Sequence, residues 1–203
     1  MTFDESFASA QATAFAFLVA EHGFRAVVNE VTRENAEDGV VGRFVYEDTV
    51  ARAPRRTVSL KVAPLRLQLS LDVARVAAGS FTIEEVHAVD GRGPFPRREH
   101  GLYDAMDSPE LLLAEFVRLA GVLEAAGARF FADEADFWED LRDLRERRAD
   151  VEEIKRILAL SRTAFHDRDW ALVIDLLGPI ERRLGSTATG RLAYARRHLA
   201  GAA

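Results

Sequence analysis

Cysteine is absent from the sequence. Disulfides, thiolate metal sites, iron–sulfur clusters and cysteine nucleophiles are therefore excluded. Lysine is scarce as well: Lys61 and Lys155 stand beside 25 arginines. Together with the many alanines, this ratio indicates the coding bias of a GC-rich bacterium and carries no information about phosphate binding.

Long apolar runs and a basic leader are also missing. The most apolar early run, residues 12–20, is shorter than the ~20 residues that cross a bilayer. The first residues carry acids, whereas a secretory signal begins with basic residues. We therefore expect a cytoplasmic protein with no membrane segment. The net charge of -6 disfavours nucleic acid as the main partner.

The motifs of nucleotide-binding and hydrolytic enzymes are missing too. The sequence has no glycine-rich phosphate loop, no G-x-S-x-G elbow and no H-E-x-x-H pair. No two of its five histidines stand at the i, i+4 spacing of helical metal ligands. We therefore expect no cofactor and no resident metal, and a role that is not enzymatic.

The residues that are present predict a helix followed by a sheet in the first half. Apolar residues at helical spacing predict a helix over 2–21. Four segments have the composition of strands: 24–31, 39–46, 57–62 and 65–71. Val58, Leu60 and Val62 alternate with polar residues, which is typical of an antiparallel sheet with one buried face. We predict an α+β fold with the N-terminal helix packed on a four-stranded antiparallel sheet.

The second half carries helix signals. Thr82 and Glu85 have the spacing of a capping box, and Ser108 followed by Pro109 marks another helix start. The apolar periodicity predicts these helices: 83–89, 109–126, 134–148, 151–165, 170–184 and 188–199. We expect residues 1–127 to form the sheet domain with a covering helix, and residues 128–203 to form an all-helical appendage.

The segment Ala164–Leu177 resembles the turn of a tetratricopeptide unit. In that family a first helix ends in an aromatic residue, a polar turn carries an acid and an aromatic residue, and a second helix opens with small and apolar residues. Pro179 departs from that pattern. A single unit is visible, and stable arrays need about three. The resemblance implies a helical hairpin that docks on its own domain or on a partner protein.

The N-terminal half carries a second resemblance. An aromatic helix, the junction His22-Gly23-Phe24-Arg25 and an antiparallel sheet make it similar to small uncharacterised bacterial proteins. Some of those are suspected antitoxin or immunity partners, so the resemblance implies a protein partner.

Charge is polarised along the second half. Residues 133–153 hold ten acids and four arginines, whereas residues 182–203 hold five arginines and no acid. Seven residues are candidate binding residues: Asp133, Asp136, Asp140, Asp143, Arg191, Arg196 and Arg197. Either the two regions neutralise each other across a helical hairpin, or each attracts a partner of opposite charge. Homodimer formation stays open.

The leading hypothesis is a non-enzymatic protein-interaction module of the bacterial cytoplasm, acting as an immunity or regulatory partner of an effector. Two alternatives stay open. A metal-dependent or acid–base hydrolase would use a histidine among acids: Glu84, Glu85, His87 and Asp90. A single-stranded nucleic acid contact would use arginines around an aromatic residue: Arg92, Phe95, Arg97 and Arg98.

Overall fold

A computed structural model describes residues 3–33, 40–49, 55–63, 68–90, 93–101, 104 and 108–201. The chain forms two compact units, Met1–Leu144 and Arg145–Ala203. The division falls within a helix, whereas the predicted boundary follows residue 127. Residues 128–144 belong with the sheet because Phe130, Trp138 and Leu141 are buried in its core.

The first unit combines an antiparallel sheet with helices. Its elements are α1 (Phe3–Ala14), α2 (Ala16–Ala20), β1 (Phe24–Arg33), β2 (Val40–Asp48), β3 (Arg56–Ala63), β4 (Gln68–Arg75), β5 (Gly79–Thr82), α3 (Ile83–Asp90), α4 (Pro109–Ala126), α5 (Ala128–Phe131) and the start of α6 (Ala135–His166). Each strand pairs antiparallel with the next, in the order β1-β2-β3-β4-β5. The α+β class and the antiparallel sheet are therefore confirmed.

The predicted number of strands is wrong, because the described sheet has five. Strand β5 pairs with β4 along only four residues, and only Phe81 within it is buried. A strand this short shows no alternation, and its last residue, Thr82, has the pattern of a helix cap. Residues 65–67 of the fourth predicted strand lie outside the described residues.

The single N-terminal helix of the prediction is two helices. Phe15 breaks the helical path with φ of -106° and ψ of 16°, and its side chain is fully buried. In α1, the Phe7 ring lies 4.8 Å from Phe44 on β2 and 5.2 Å from Phe116 on α4. Helix α1 thus packs against a second helix as well as the sheet. Gly42 permits this approach, since a Cβ there would lie 2.2 Å from the Phe7 ring.

The alternation and the capping signals of the sequence are confirmed. Val58, Leu60 and Val62 of β3 are buried under the helices. The Thr82 amide donates to the Glu85 carboxylate at 2.9 Å, and the Glu85 amide donates to the Thr82 hydroxyl at 3.3 Å. These reciprocal bonds fix the start of α3 directly after β5.

The second unit is helical. It contains the end of α6, then α7 (Trp170–Leu177), a 3₁₀ helix (Gly178–Arg183) and α8 (Ser186–Gly201). The predicted helices 134–148 and 151–165 are one continuous helix, because no glycine or proline interrupts them. The core of this unit holds only small and medium side chains: Ala164, Val173, Leu177, Leu192 and Ala195.

The turn between α6 and α7 is closed by backbone bonds. Arg168 takes a left-handed conformation with φ of 61°, and the Asp169 amide donates to the Ala164 carbonyl at 2.9 Å. This is the pattern that ends a helix in a left-handed residue. Asp169 then caps α7 by accepting a bond from the Leu172 amide at 3.0 Å. The polar segment 166–169 is therefore a turn, as its composition predicts.

Among the described helices, none combines the length and the apolar character that a bilayer crossing requires.

Candidate functional site: a basic cavity in the second unit

Part of the predicted acidic face is paired with a cation of the first unit. The guanidinium of Arg129 lies 3.2 Å from the Asp136 carboxylate and 2.8 Å from that of Asp140. Glu134 adds a third carboxylate at 3.0 Å. Hydrogen bonding to Asp140 is the main cause that raises the pKa of Arg129. These acids therefore hold a cation of their own unit.

The other two aspartates of that face do not share this group. Asp133 accepts a hydrogen bond from the Trp138 indole at 3.2 Å and lies 3.3 Å from the Arg75 guanidinium. It takes a left-handed φ of 53° in the turn before α6. Asp143 is exposed on the helix surface. The structure thus brings together only two of the four predicted aspartates, around Arg129.

The predicted basic tail is divided as well. Arg196 forms a two-bond ion pair with Glu181 at 2.8 and 2.9 Å. This contact lowers the pKa of Glu181 and raises that of Arg196. Arg197 is exposed, whereas Arg191 lines a cavity. One described ion pair joins the two charged regions, between Arg183 and Asp150 at 3.3 Å.

A cavity of about 450 Å³ opens between α6 and the start of α8. Its lining includes three cationic side chains, those of Lys155, Arg162 and Arg191. Ser186 and Thr187 add two hydroxyl groups. Leu158, Ala159, Gly185 and Ala188 complete the described lining. Carboxylates are absent from these nine residues, so the cavity has a positive charge and partly apolar walls.

Two elements place these side chains together. Lys155 and Arg162 are seven residues apart, and two helical turns bring them to one face of α6. Helix α8 begins at Ser186, so the positive end of its dipole adds to the same charge. Within the described residues, Arg162 and Arg191 have no ion pair, whereas Lys155 lies 2.7 Å from Glu152. Two of the three cations are therefore available to an anion.

Of the residues that line this cavity, Arg191 was predicted from the sequence as a binding residue, and the others were not. The seven-residue spacing of Lys155 and Arg162 was a usable signal, because it places both on one helical face. The contribution of Ser186 and Thr187 had no comparable signal. They reach the cavity only through the return of the chain after the 3₁₀ helix.

The proposed hydrolase residues do not form a ligand cluster. Glu85 is engaged in the cap of α3, and Glu84 is exposed on the same helix. His87 is buried, with 8% of its surface exposed. In the part of the chain that the structure describes, no group of three or more histidine, aspartate or glutamate side chains could hold a metal ion.

The aromatic residue of the proposed nucleic-acid loop, Phe95, is half-buried against the core. The Phe95 ring meets the His87 ring edge-on at 5.5 Å, and the Arg118 guanidinium lies over it at 5.4 Å. Arg98 is bonded to Glu115 at 2.8 Å, and Arg97 is exposed. Phe95 therefore already has ring contacts within the protein. Arg92 lies outside the described residues.

The protein thus combines an α+β unit with a helical unit, and the helical unit contains the basic cavity. Comparison with known proteins finds no match: no family model, no curated protein and no solved structure is similar to the chain.

Proposed function

We propose that the chain is a non-enzymatic binding module, and that its second unit binds an acidic segment of another protein. The observation that carries this proposal is the basic cavity, in which Lys155, Arg162 and Arg191 converge without a lining carboxylate. Opposite charge between two surfaces speeds their encounter and selects the partner. An acidic segment matches the cavity, whereas a basic one is repelled.

The side chains that line the cavity favour a peptide over a nucleic acid strand. Leu158 and Ala159 provide an apolar wall between the cations. Small apolar side chains of a partner can pack there beside its carboxylates. Aromatic side chains, on which bases stack in single-stranded nucleic acid sites, are missing from the described lining.

The helical hairpin around the turn at Arg168 supports the same role, because its resemblance to a tetratricopeptide turn implies docking on a partner protein or on its own domain. The expectation that the partner is an effector, with this chain as its immunity or regulatory protein, stays a prediction. Its test is whether a candidate effector loses activity when mixed with equimolar purified protein.

The binding proposal is tested with a fluorescein-labelled peptide of alternating glutamate and leucine residues. Anisotropy is measured against wild type and against a variant carrying Arg162→Glu and Arg191→Glu. We expect the double variant to bind at least tenfold more weakly. Wild-type binding should also weaken as salt rises, because partly exposed charges are screened.

The matched control is Arg197→Glu combined with Arg182→Glu. It makes the same change in net charge within the second unit, at exposed positions outside the cavity lining. We expect less than a twofold change for this control. Equal losses in both double variants would show that the peptide responds to net charge alone, and the proposal would be wrong.

A further inference from the structure

A second cavity, of about 330 Å³, lies in the first unit beside helix α4. His87 of α3 and Arg118 of α4 supply its polar groups. Val122, Ala125 and Ala126 form an apolar wall, and Gly121 leaves it open on one side. The volume lies at the lower end of the range of small-molecule sites, which are mostly apolar with few polar groups.

His87 is the unusual member of this lining. Its side chain is more than nine-tenths buried, yet its ring nitrogens have no hydrogen-bond partner among the residues that the structure describes. The ring nitrogens do not belong to the buried unpaired atoms of the described residues, so they can bond a partner that enters the cavity. The cavity is the space into which that partner fits.

Arg118 adds a positive charge that the neighbouring acids do not cancel. The buried Glu115 carboxylate accepts bonds from both Arg98 and Arg118. The two cavities that Arg118 lines contain three arginines, Arg97, Arg98 and Arg118, against the glutamates 99 and 115. Within these two linings the arginines exceed the carboxylates by one, which favours an anionic ligand.

Arg118 is also held in place for such a group. Its Nε and Nη2 donate to Glu115 at 2.8 and 2.7 Å, and its Nη1 donates to the Pro96 carbonyl at 3.0 Å. A guanidinium has five N–H donors, so two remain for a ligand. A carboxylate can accept bonds from such donors.

We propose that this cavity binds a small carboxylic acid with an apolar body. The carboxylate lies between Arg118 and His87, and the apolar body packs against Val122 and Ala125. The excess of arginines over carboxylates favours an anion, and the scarcity of polar groups in the wall disfavours a highly hydroxylated ligand. This site is independent of the proposed protein-binding cavity, because it lies wholly in the other unit.

Benzoate is the probe for this proposal, and benzamide is its neutral counterpart of equal size. The full chain is labelled with ¹⁵N in its histidines, and the ring signals of His87 are assigned with His87→Gln. We expect benzoate to shift the His87 signals in a saturable manner and benzamide to bind at least tenfold more weakly. Equal binding of the two would overturn the carboxylate assignment, and no shift at 50 mM benzoate would overturn the site.

Gly121→Leu tests whether the ligand occupies the cavity. A Cβ at this position meets no atom within 4 Å, so a side chain here has space to enter the cavity, and leucine is a better helix former than glycine. Gly190→Leu in α8 is the matched control, also with open space at its Cβ. We expect Gly121→Leu to weaken benzoate binding at least tenfold and Gly190→Leu to leave it unchanged.

Ala125→Leu gives a second way to fill the cavity if Gly121→Leu does not fold. Ala125 is exposed on α4 and lines the same space. Retention of full benzoate affinity in a folded cavity-filling variant would place the ligand elsewhere and contradict the proposal.

Discussion

The two units of the chain bury different kinds of side chain. The first fully encloses large rings such as Trp138, Phe116 and Phe130. In the second, the described aromatic residues remain at least partly exposed, with Phe165 and Trp170 half-buried and Tyr194 39% exposed. Aromatic burial supplies much of the apolar area that stabilises a core. The first unit therefore has a core of its own, whereas the second has less apolar burial and keeps more of its surface for contacts.

Their ion pairs differ in the same way. Asp48 and Arg56 in the first unit are almost fully buried, and Arg56 also donates to the carbonyls of Phe130 and Phe131 at 2.7 and 2.6 Å. The ion pairs of the second unit lie in solvent, where they contribute little. Charge in the first unit holds elements together, whereas charge in the second is placed where a partner can reach it.

The largest effect is expected from breaking the buried ion pair. Asp48→Asn leaves the Arg56 charge without its carboxylate in the interior, which costs about 3–5 kcal/mol of unfolding free energy. Urea unfolding followed by Trp138 fluorescence in a Trp170→Phe background measures the loss. Asp150→Asn, which breaks an exposed pair of the second unit, is the control and should not move the urea midpoint. A similar shift in both variants would remove this difference between the units.

A leucine truncation in each unit tests the size of the cores. Leu192→Ala and Leu123→Ala each remove a buried leucine, and such changes cost about 2–5 kcal/mol. The 59 residues of the second unit correspond to a total of about 3–9 kcal/mol at typical stability per residue. We therefore expect Leu192→Ala to remove a large part of the second unit's stability, so that it unfolds at much lower urea, and Leu123→Ala to leave the first unit folded.

Circular dichroism at 222 nm and Trp170 fluorescence report the loss of the second unit, and Trp138 fluorescence reports the first. If Leu192→Ala keeps native Trp170 fluorescence up to the urea midpoint of wild type, the second unit is more stable than its core implies.

The smallest expected effect is a dependence of the first unit's unfolding free energy on pH. Burial raises the pKa of Tyr46 to about 12. The hydrogen bond from Gln11 lowers this pKa, but it is the smaller of the two effects. Unfolded tyrosine ionises near pH 10, so the unfolded state releases its proton first as the pH rises. The stability is complete below pH 10 and falls between pH 10 and 12, by about 2–3 kcal/mol.

Urea midpoints at pH 9 and pH 11.5 measure this loss. Tyr46→Phe lowers stability at both values by removing the bond from Gln11, but it should remove this part of the pH dependence. Tyr194→Phe in the second unit is the control and should retain it. An unchanged pH dependence in Tyr46→Phe would assign the loss to other groups.

Much of the first unit could be predicted from local sequence. Val58, Leu60 and Val62 alternate with polar residues in the sequence, and all three are buried in the structure. The helix caps at Thr82 and Ser108 also form, as the spacing to Glu85 and Leu111 predicts. These features depend on residues within a few positions of one another. Strand β5 was missed because a four-residue strand is specified by its pairing with β4.

The candidate sites were much less predictable. Arg191 was identified as a basic residue of the tail, but its neighbours Lys155 and Arg162 come from another helix about thirty residues earlier. The acidic face remains a prediction as a binding surface, and two of its carboxylates share the Arg129 guanidinium. Such compensation depends on distances across the fold, which charge counts along the chain do not contain.

The sequence by itself determined the α+β class, the antiparallel sheet and most helix starts, because periodicity and capping are local properties of the backbone. The tertiary structure decided which charges are neutralised and which remain available. It enclosed Asp48 with Arg56, surrounded Arg129 with acids, and left Arg162 and Arg191 facing an open cavity. The physical reason is that burial and Coulomb interaction depend on distance in space, and only the folded chain sets that distance.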